Sequence, residues 1–109
     1  MITRDEGSLL ITVSVSFMLY LESSPDLRMG KKVISVQLEE GATFGDLLRD
    51  FESNFGSALA KEIYDPEKHS LKELVKALVN GVLSQNLDGD NTALHQGDNI
   101  VFVPLVMGG

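Results

Sequence analysis

Apolar and polar residues alternate in the first third of the chain. Between residues 11 and 21 every second side chain is apolar, at Ile11, Val13, Val15, Phe17, Leu19 and Leu21. Alternation with a period of two predicts a half-buried strand. Residues 33–38 alternate in the same way, and the intervening segment contains Ser23-Ser24-Pro25 and Gly30, which are residue types typical of turns. The two runs therefore predict a first hairpin with a long loop.

The pattern changes to helical spacing after residue 43. Apolar side chains recur at Phe44, Leu47, Leu48, Phe51 and Phe55, which predicts a helix over residues 44–54 with one buried face. Thr43 and Asp46 resemble a capping box in which aspartate replaces the usual glutamate. Gly56 can end this helix, and residues 57–64 predict a second, short helix that ends before Pro66.

Residues 70–79 fit two patterns. The spacing of Leu71, Leu74, Val75 and Leu78 suggests a helix, whereas residues 75–79 also fit a strand. The dipeptide Asn80-Gly81 favours the strand, because Asn-Gly between two apolar runs is typical of a type I′ hairpin turn. A short returning strand is then expected at residues 82–83.

The remaining segments complete a sheet. Residues 91–94 predict one tight helical turn, and Gly97-Asp98 predicts a turn into a last strand over residues 100–105. The order strand, strand, helix, strand, short strand, strand predicts an α+β fold, in which a mixed sheet holds one main helix on one face. We expect a flexible arm at residues 1–9 and a single domain at residues 10–109.

The chain is acidic. Its 109 residues carry a formal charge of −7 and give a pI near 4.6, and its lysines and arginines are scattered. Nucleic-acid affinity depends on clustered cations that release counterions, so the composition argues against a nucleic-acid partner. The charge fits attraction to a basic protein partner and simple solubility about equally.

The residue inventory excludes several kinds of chemistry. The sequence has no cysteine, which excludes disulfides, thiolate nucleophiles and thiolate metal ligands. His69 and His95 lie far apart, residues 88–92 lack the spacing of a calcium loop, and there is no Gly-rich phosphate motif. We therefore expect no metal or cofactor bound by this chain. No apolar run reaches the roughly 18 residues that span a bilayer, and we expect no membrane association and a cytoplasmic location.

Several segments, taken in order, resemble one known family. Residues 40–48 resemble the strand-to-helix junction of the MoaD/ThiS sulfur carriers. Four later segments resemble the C-terminal half of those carriers: Val79-Asn80-Gly81, residues 94–98, residues 100–104 and Gly108-Gly109. The resemblance covers residues 10–109 and implies the ubiquitin-like β-grasp fold; the most similar member by pattern is the small subunit of molybdopterin synthase. The chain departs from the common pattern in its longer first loop, in extra residues between 56 and 70, and in Pro104-Leu105 where many members carry Pro-Pro.

The resemblance implies a mechanism centred on the last residue. An adenylating enzyme of the ubiquitin-activating type would use ATP and Mg²⁺ to form an acyl-adenylate on the C-terminal carboxylate of Gly109, and sulfur would then replace AMP to leave a thiocarboxylate. The carrier itself would catalyse nothing. Gly108 and Gly109 provide the slim and flexible chain that a narrow active site requires. The implied partners are the adenylating enzyme, a sulfur donor, and the large subunit of molybdopterin synthase or an equivalent acceptor enzyme.

The last strand supplies the expected docking surface. If Ile100 and Phe102 face the core, alternation places Val101 and Val103 on the opposite face, and in the family the position of Val103 contacts the activating enzyme. The residues assigned to partner binding and to the lining of the tail are Val101, Val103, Leu105, Val106 and Met107. An alternative for Leu105 and Val106 is that they merely cover the edge of the sheet, and an alternative for the two glycines is a frayed chain end.

Two classes of function remain open. A sulfur carrier would deliver sulfide to a molybdopterin precursor or, less in keeping with the pattern, to a thiazole, an amino acid or a tRNA base. A protein modifier would instead join Gly109 to a lysine of another protein through an isopeptide bond. A β-grasp interaction module with an inert tail is the third possibility.

Overall fold

The two alternating runs form neighbouring strands. The computed structural model describes residues 9–19, 21–23, 25–68 and 70–105; β1 spans Leu10–Phe17 and β2 spans Ile34–Glu39. These strands pair antiparallel, which confirms the predicted hairpin. Leu19 and Leu21 are buried although β1 has already ended, so the alternating run continues the core beyond the strand. Residues 1–8 of the expected arm lie outside the described residues.

Three short helices follow the hairpin. They are α1 (Phe44–Arg49), α2 (Phe51–Phe55) and α3 (Ser57–Ile63). The single helix predicted over residues 44–54 is interrupted at Asp50, whose φ of −93° and ψ of 9° break the helical geometry. Gly56 separates α2 from α3 with a φ of 93°, a left-handed value that glycine adopts without steric cost.

The predicted capping box starts α1. The Thr43 hydroxyl accepts a hydrogen bond from the Asp46 N–H at 3.2 Å, and the Asp46 carboxylate accepts one from the Thr43 N–H at 2.9 Å. The backbone N–H of Thr43 and the Arg49 guanidinium lower the pKa of Asp46, because both favour the charged carboxylate. The first turn of α1 is therefore fixed by its own side chains.

The second half of the chain completes the sheet. A two-residue pair, β3 (Tyr64–Asp65) and β4 (Ser70–Leu71), forms a separate small sheet. The remaining strands are β5 (Val75–Val79), β6 (Val82–Leu83) and β7 (Asn99–Pro104). The main sheet has the order β2-β1-β7-β5-β6, and β1 and β7 are its parallel pair. Asn80 and Gly81 both have positive φ, which confirms the Asn-Gly hairpin and decides residues 75–79 as strand.

The prediction of a tight helical turn at residues 91–94 was wrong in its position. A 3₁₀ turn spans Gly89–Asn91 instead. Residues 93 and 94 are extended and lie beside the start of α1. Ala93 forms an isolated antiparallel bridge with Thr43, and the Leu94 N–H donates to the Ala42 carbonyl at 3.0 Å. These backbone bonds require an extended chain, so they exclude a helical turn there.

Helices α1, α2 and α3 contribute buried side chains to one core against the main sheet. Five phenylalanines form the centre of this core, and the Phe102 ring centroid lies 5.4 Å from those of both Phe17 and Phe51. Phe44 and Phe55 complete the cluster at centroid distances of 6.2 Å and 5.8 Å from Phe102 and Phe17 respectively. Because Phe102 is fixed from the helix side, its neighbours in β7 must point to the opposite face.

Replacement of Leu48 by alanine tests the position of α1. Leu48 is 1% exposed, so Leu48→Ala should lower the free energy of unfolding by about 2–5 kcal/mol through lost apolar contact and a residual cavity. Urea unfolding measures the difference. The matched control is Leu87→Ala, at a leucine that is 40% exposed, and equal losses for the two variants would contradict the assignment of Leu48 to the core.

One carboxylate holds the long first loop against α3. The Glu62 side chain accepts hydrogen bonds from the N–H groups of Glu22 at 3.0 Å and Ser23 at 2.9 Å, and from the Ser23 hydroxyl. Partial burial raises the pKa of Glu62, but the hydrogen bonds from Ser23 and Glu22 outweigh it, and the net pKa is lowered from 4.5. The charged form of Glu62 is therefore the form that holds the loop.

This contact should weaken in acid. Because the folded-state pKa of Glu62 is below the unfolded value, its stabilisation is complete above about pH 4.5 and is lost as the pH falls through the folded pKa. Hydrogen-exchange protection of the Glu22 and Ser23 amides, corrected for intrinsic rates, should fall over that range. Glu62→Gln should abolish this pH dependence and the exposed control Glu67→Gln should keep it; unchanged protection in Glu62→Gln would show that the carboxylate does not hold the loop.

Candidate functional site

The candidate site is built on β7, which lies between β1 and β5 in the middle of the sheet. Ile100 and Phe102 are fully buried, and Val101 and Val103 are half-buried. This alternation agrees with the prediction that the two valines face away from the core. We call the sheet face that carries them, opposite the helices, the outer face.

The beginning of β7 is held by a polar network. Asn80 donates from its amide nitrogen to the Asp98 carboxylate at 3.0 Å, and its amide oxygen accepts from the Asn99 N–H at 2.9 Å. Asp98 also accepts from the His95 N–H at 2.8 Å, and the Ser14 hydroxyl bonds the Asn99 side chain at 2.9 Å. These bonds connect β7 to the Asn-Gly turn and to β1, and so stabilise the register in which the outer-face valines are presented.

Neighbouring strands widen the apolar outer face. In the strand register Val101 lies opposite Leu78 of β5, and Leu78 lies opposite Leu83 of β6. Side chains directly opposite on one face of an antiparallel pair are close enough to touch, so these three form a continuous apolar row. Lys76 lies opposite Val103 and Ser16 beside Val101, which places a charged and a polar neighbour at the row's margins.

Leu105 continues the pairing beyond β7. Its N–H donates to the Leu74 carbonyl at 2.9 Å, and its side chain is half-buried, whereas Leu74 is 61% exposed. The backbone of Leu105 therefore extends the sheet while part of its side chain remains accessible. The other predicted residues, Val106, Met107, Gly108 and Gly109, lie outside the described residues.

The structure thus brings together three of the predicted site residues, Val101, Val103 and Leu105, and adds others that the sequence did not assign to the site. The additional residues are Leu74, Leu78 and Leu83. Alternation within residues 75–79 already placed Leu78 opposite in direction to Val79, and this was the available signal. The position of Leu78 beside Val101 depends on the pairing register, which the sequence does not state.

The described residues offer no metal-binding cluster. Over the described ranges, no three His, Cys, Asp or Glu side chains are grouped so that they could hold a metal ion. In residues 88–92, which lack the spacing of a calcium loop, the Thr92 hydroxyl accepts a hydrogen bond from the Asp88 N–H at 3.1 Å. Within the same ranges, no helix has both the length and the apolar character needed to cross a membrane.

The architecture defines a class of protein. A hairpin, a helical segment packed on one face, and a central strand parallel to the first one form the α+β, ubiquitin-like β-grasp arrangement. The family model "ThiS family" matches residues 30–109, which is more than half of the chain. The protein belongs to the ThiS family, whose members are small ubiquitin-like carriers or modifiers, and the resemblance to MoaD/ThiS proteins is confirmed.

Individual relatives support this membership. The chain is 37% identical over 81 residues to Small archaeal modifier protein 3 of Haloferax volcanii. The matched residues make up 74% of this chain and 85% of the relative. The solution structure of the Haloferax volcanii HVO 2177 protein is 29% identical, with a TM-score of 0.68 and coverage of 100% of this chain and 94% of that one. The crystal structure of CysO from Mycobacterium tuberculosis is 27% identical, with a TM-score of 0.60 and coverage of 86% of this chain and 99% of that one.

Proposed function

We propose that this chain carries sulfur on the C-terminal carboxylate of Gly109. The observation that carries the proposal is the apolar outer face of β7 and β5, in a ThiS-family chain whose last strand leads in sequence to Gly108-Gly109. Exposed apolar surface that adjoins a reactive segment is typical of a docking site. The outer face would bind a partner enzyme while the tail enters that enzyme's active site.

The proposed reaction has two steps. An oxygen of the Gly109 carboxylate attacks the α-phosphorus of ATP, pyrophosphate leaves, and an acyl-adenylate forms. A sulfide equivalent from a sulfur donor then attacks the acyl carbon, AMP leaves, and a thiocarboxylate remains. ATP and Mg²⁺ belong to the adenylating partner, and this chain provides the carboxylate and the docking surface.

The residues have distinct roles in this proposal. Gly108 and Gly109 keep the tail narrow and free to adopt positive φ. Val101 and Val103 form the centre of the docking surface, since apolar side chains that lose water at the middle of an interface contribute most to affinity. Leu105 and Val106 extend this contact toward the tail, and Met107 lines the entry with a flexible apolar side chain.

The acceptor that we propose first is a molybdopterin precursor bound by the large subunit of molybdopterin synthase or an equivalent enzyme. This choice is based on the resemblance of the C-terminal segments to that family. A second function is favoured by a specific observation, the 37% identity to a relative named as a small archaeal modifier protein. In that function the activated Gly109 would form an isopeptide bond with a lysine of another protein.

Adenylation in vitro tests the proposed function. The full-length protein is mixed with the ubiquitin-activating-type enzyme of the same organism, ATP and Mg²⁺, and pyrophosphate release is followed. We expect release that depends on the protein, and a thiocarboxylate when a sulfur donor is added. Absence of pyrophosphate release would overturn both functions, whereas release that leads only to lysine conjugates would favour the modifier.

A further inference from the structure

The main sheet ends in a strand whose backbone bonding groups point outward. β2 is an edge strand of the main sheet, with β1 as its one neighbouring strand. The Glu40 N–H donates to the Leu9 carbonyl at 2.8 Å, and alternate residues of an antiparallel strand bond to the same neighbour. Residues 34, 36, 38 and 40 therefore bond β1, and the N–H and C=O groups of Ser35, Gln37 and Glu39 point away from it. No strand in the described part of the chain pairs with this edge, and the Glu39 carbonyl accepts a hydrogen bond from the Ala42 N–H at 3.0 Å in the turn that follows β2.

The hydrogen bonds of β1 support this register independently. The Gly97 N–H donates to the Thr12 carbonyl, and the Ser14 N–H donates to the Asp98 carbonyl. Even-numbered residues of β1 thus bond toward β7, and its odd-numbered residues bond toward β2. Ile11, which is odd-numbered, lies opposite Leu38, which leaves Gln37 and Glu39 with outward-directed backbone groups.

A groove runs beside this edge, between β2 and the helices. Its volume is about 570 Å³, its apolar lining comes from Leu10, Leu38 and Ala42, and the helical wall is formed by Asp46, Arg49, Asp50 and Asn54. An extended chain added to the edge would place every second side chain over this groove. The edge therefore offers backbone pairing and side-chain recognition together.

The groove is acidic. It is lined by the carboxylates of Glu39, Glu40, Asp46 and Asp50, and by one guanidinium, that of Arg49. Arg49 is already paired with Asp46 at 2.5 Å, so the other three carboxylates are uncompensated by a cation of the groove. Such a surface attracts a positively charged segment.

We propose that the edge of β2 binds an extended, lysine- or arginine-rich segment of a partner protein as an additional strand. The outward N–H groups of Ser35, Gln37 and Glu39 and the outward C=O groups of Ser35 and Gln37 would supply the pairing. The acidic groove would select basic side chains at alternate positions. A second copy of this chain fits less well, because each copy carries a formal charge of −7 and would bring another acidic groove to the contact.

This surface is separate from the proposed docking surface for the adenylating enzyme. β1 lies between β2 and β7, so the free edge is about 10 Å from β7 at a strand spacing of roughly 4.8 Å. Both surfaces can be occupied at once. The edge would recruit a donor or acceptor protein while the outer face presents the tail.

A synthetic peptide of alternating lysine and valine is the probe for this proposal. Titration into ¹⁵N-labelled full-length protein should give saturable shifts centred on the amides of Ser35, Gln37 and Glu39. A peptide of the same sequence with alternate backbone nitrogens methylated keeps the charge but cannot donate along one edge. It should bind at least tenfold more weakly, because it loses several backbone hydrogen bonds to the edge and tenfold corresponds to about 1.4 kcal/mol.

Variants of the protein separate pairing from charge. Gln37→Pro removes an outward N–H at an edge position, where proline is tolerated, and should weaken binding about tenfold for the same loss. Glu39→Gln with Asp50→Asn should weaken it by a similar factor, and the charge-matched control Glu67→Gln with Glu73→Gln should not. The comparison with the methylated peptide uses the unaltered protein, so it still tests backbone pairing if Gln37→Pro fails to fold.

Three results would overturn the proposal. Equal binding of the two peptides would reduce the interaction to non-specific attraction, absence of saturable binding would remove the site, and self-association lost in Gln37→Pro would assign the edge to a second copy. Pyrophosphate release with the adenylating enzyme should be unchanged in Gln37→Pro. The edge proposal and the proposed function can therefore fail separately.

Discussion

Deletion of Gly109 is expected to abolish adenylation and thiocarboxylation while the melting temperature stays nearly unchanged. The deletion withdraws the carboxylate by about 3.3–3.6 Å along an extended chain, whereas attack requires reacting atoms about 3–3.5 Å apart. Gly109 follows β7 by five residues in the sequence, since β7 ends at Pro104, so we expect few folding contacts to be lost. Pyrophosphate release beside a thermal melt measures both quantities.

Gly108→Ala extends this test without changing the length of the tail. An added Cβ widens the chain and restricts positive φ, so a strong loss of turnover with normal stability is expected. Leu87→Ala, at an exposed leucine outside the proposed site, is the control that should keep full turnover. Turnover at the normal rate after deletion of Gly109 would contradict the carrier function, because the chain contains no cysteine that could hold the sulfur instead.

Val103→Asp is expected to weaken binding of the adenylating enzyme far more than it weakens folding. A carboxylate pressed against the apolar surface of the enzyme loses its water and gains no partner from that surface, and we expect at least a 30-fold loss of affinity, or roughly 2 kcal/mol. In the free protein Lys76 lies opposite this position, and an opposite charge across the strands offsets part of the cost to folding. Calorimetric titration and a thermal melt measure the two effects.

The matched control for Val103→Asp is Val82→Asp. Val82 is 43% exposed and lies opposite Val79, whose side chain faces the core, so its side chain lies away from the outer face. The control should retain nearly normal affinity. Equal affinity for Val103→Asp and the unaltered protein would remove the outer face from the interface, and a collapse of stability would show that Val103 belongs to the core.

The features that the sequence predicted well depend on near neighbours. Alternation marked β1 and β7 because the pleat of a strand determines direction residue by residue, and it placed Val101 and Val103 on the outer face correctly. The Thr43 and Asp46 cap is three residues long and is complete within itself. Asn80-Gly81 determined the β5–β6 hairpin because positive φ is needed at both positions.

The features that the sequence did not predict depend on distant pairing. The row formed by Leu83, Leu78 and Val101 exists only in the observed register, and the extended segment at Ala93 is held by Thr43, fifty positions earlier in the numbering. The presence of glycine at position 45, inside α1, is not explained by its neighbours in the sequence. A Cβ at that position would lie 2.9 Å from the Asp90 carbonyl oxygen, so the close approach of the 3₁₀ turn requires glycine there.

The most direct test of sulfur carriage is intact mass spectrometry of the full-length protein, isolated from its own cells without reductants that could remove sulfur. The carrier function predicts a species in which one oxygen of the Gly109 carboxylate is replaced by sulfur. That species should be absent from protein that lacks Gly109. Detection of the unmodified mass alone, or of conjugates through Gly109 with no thiocarboxylate, would contradict sulfur carriage as the function of this chain.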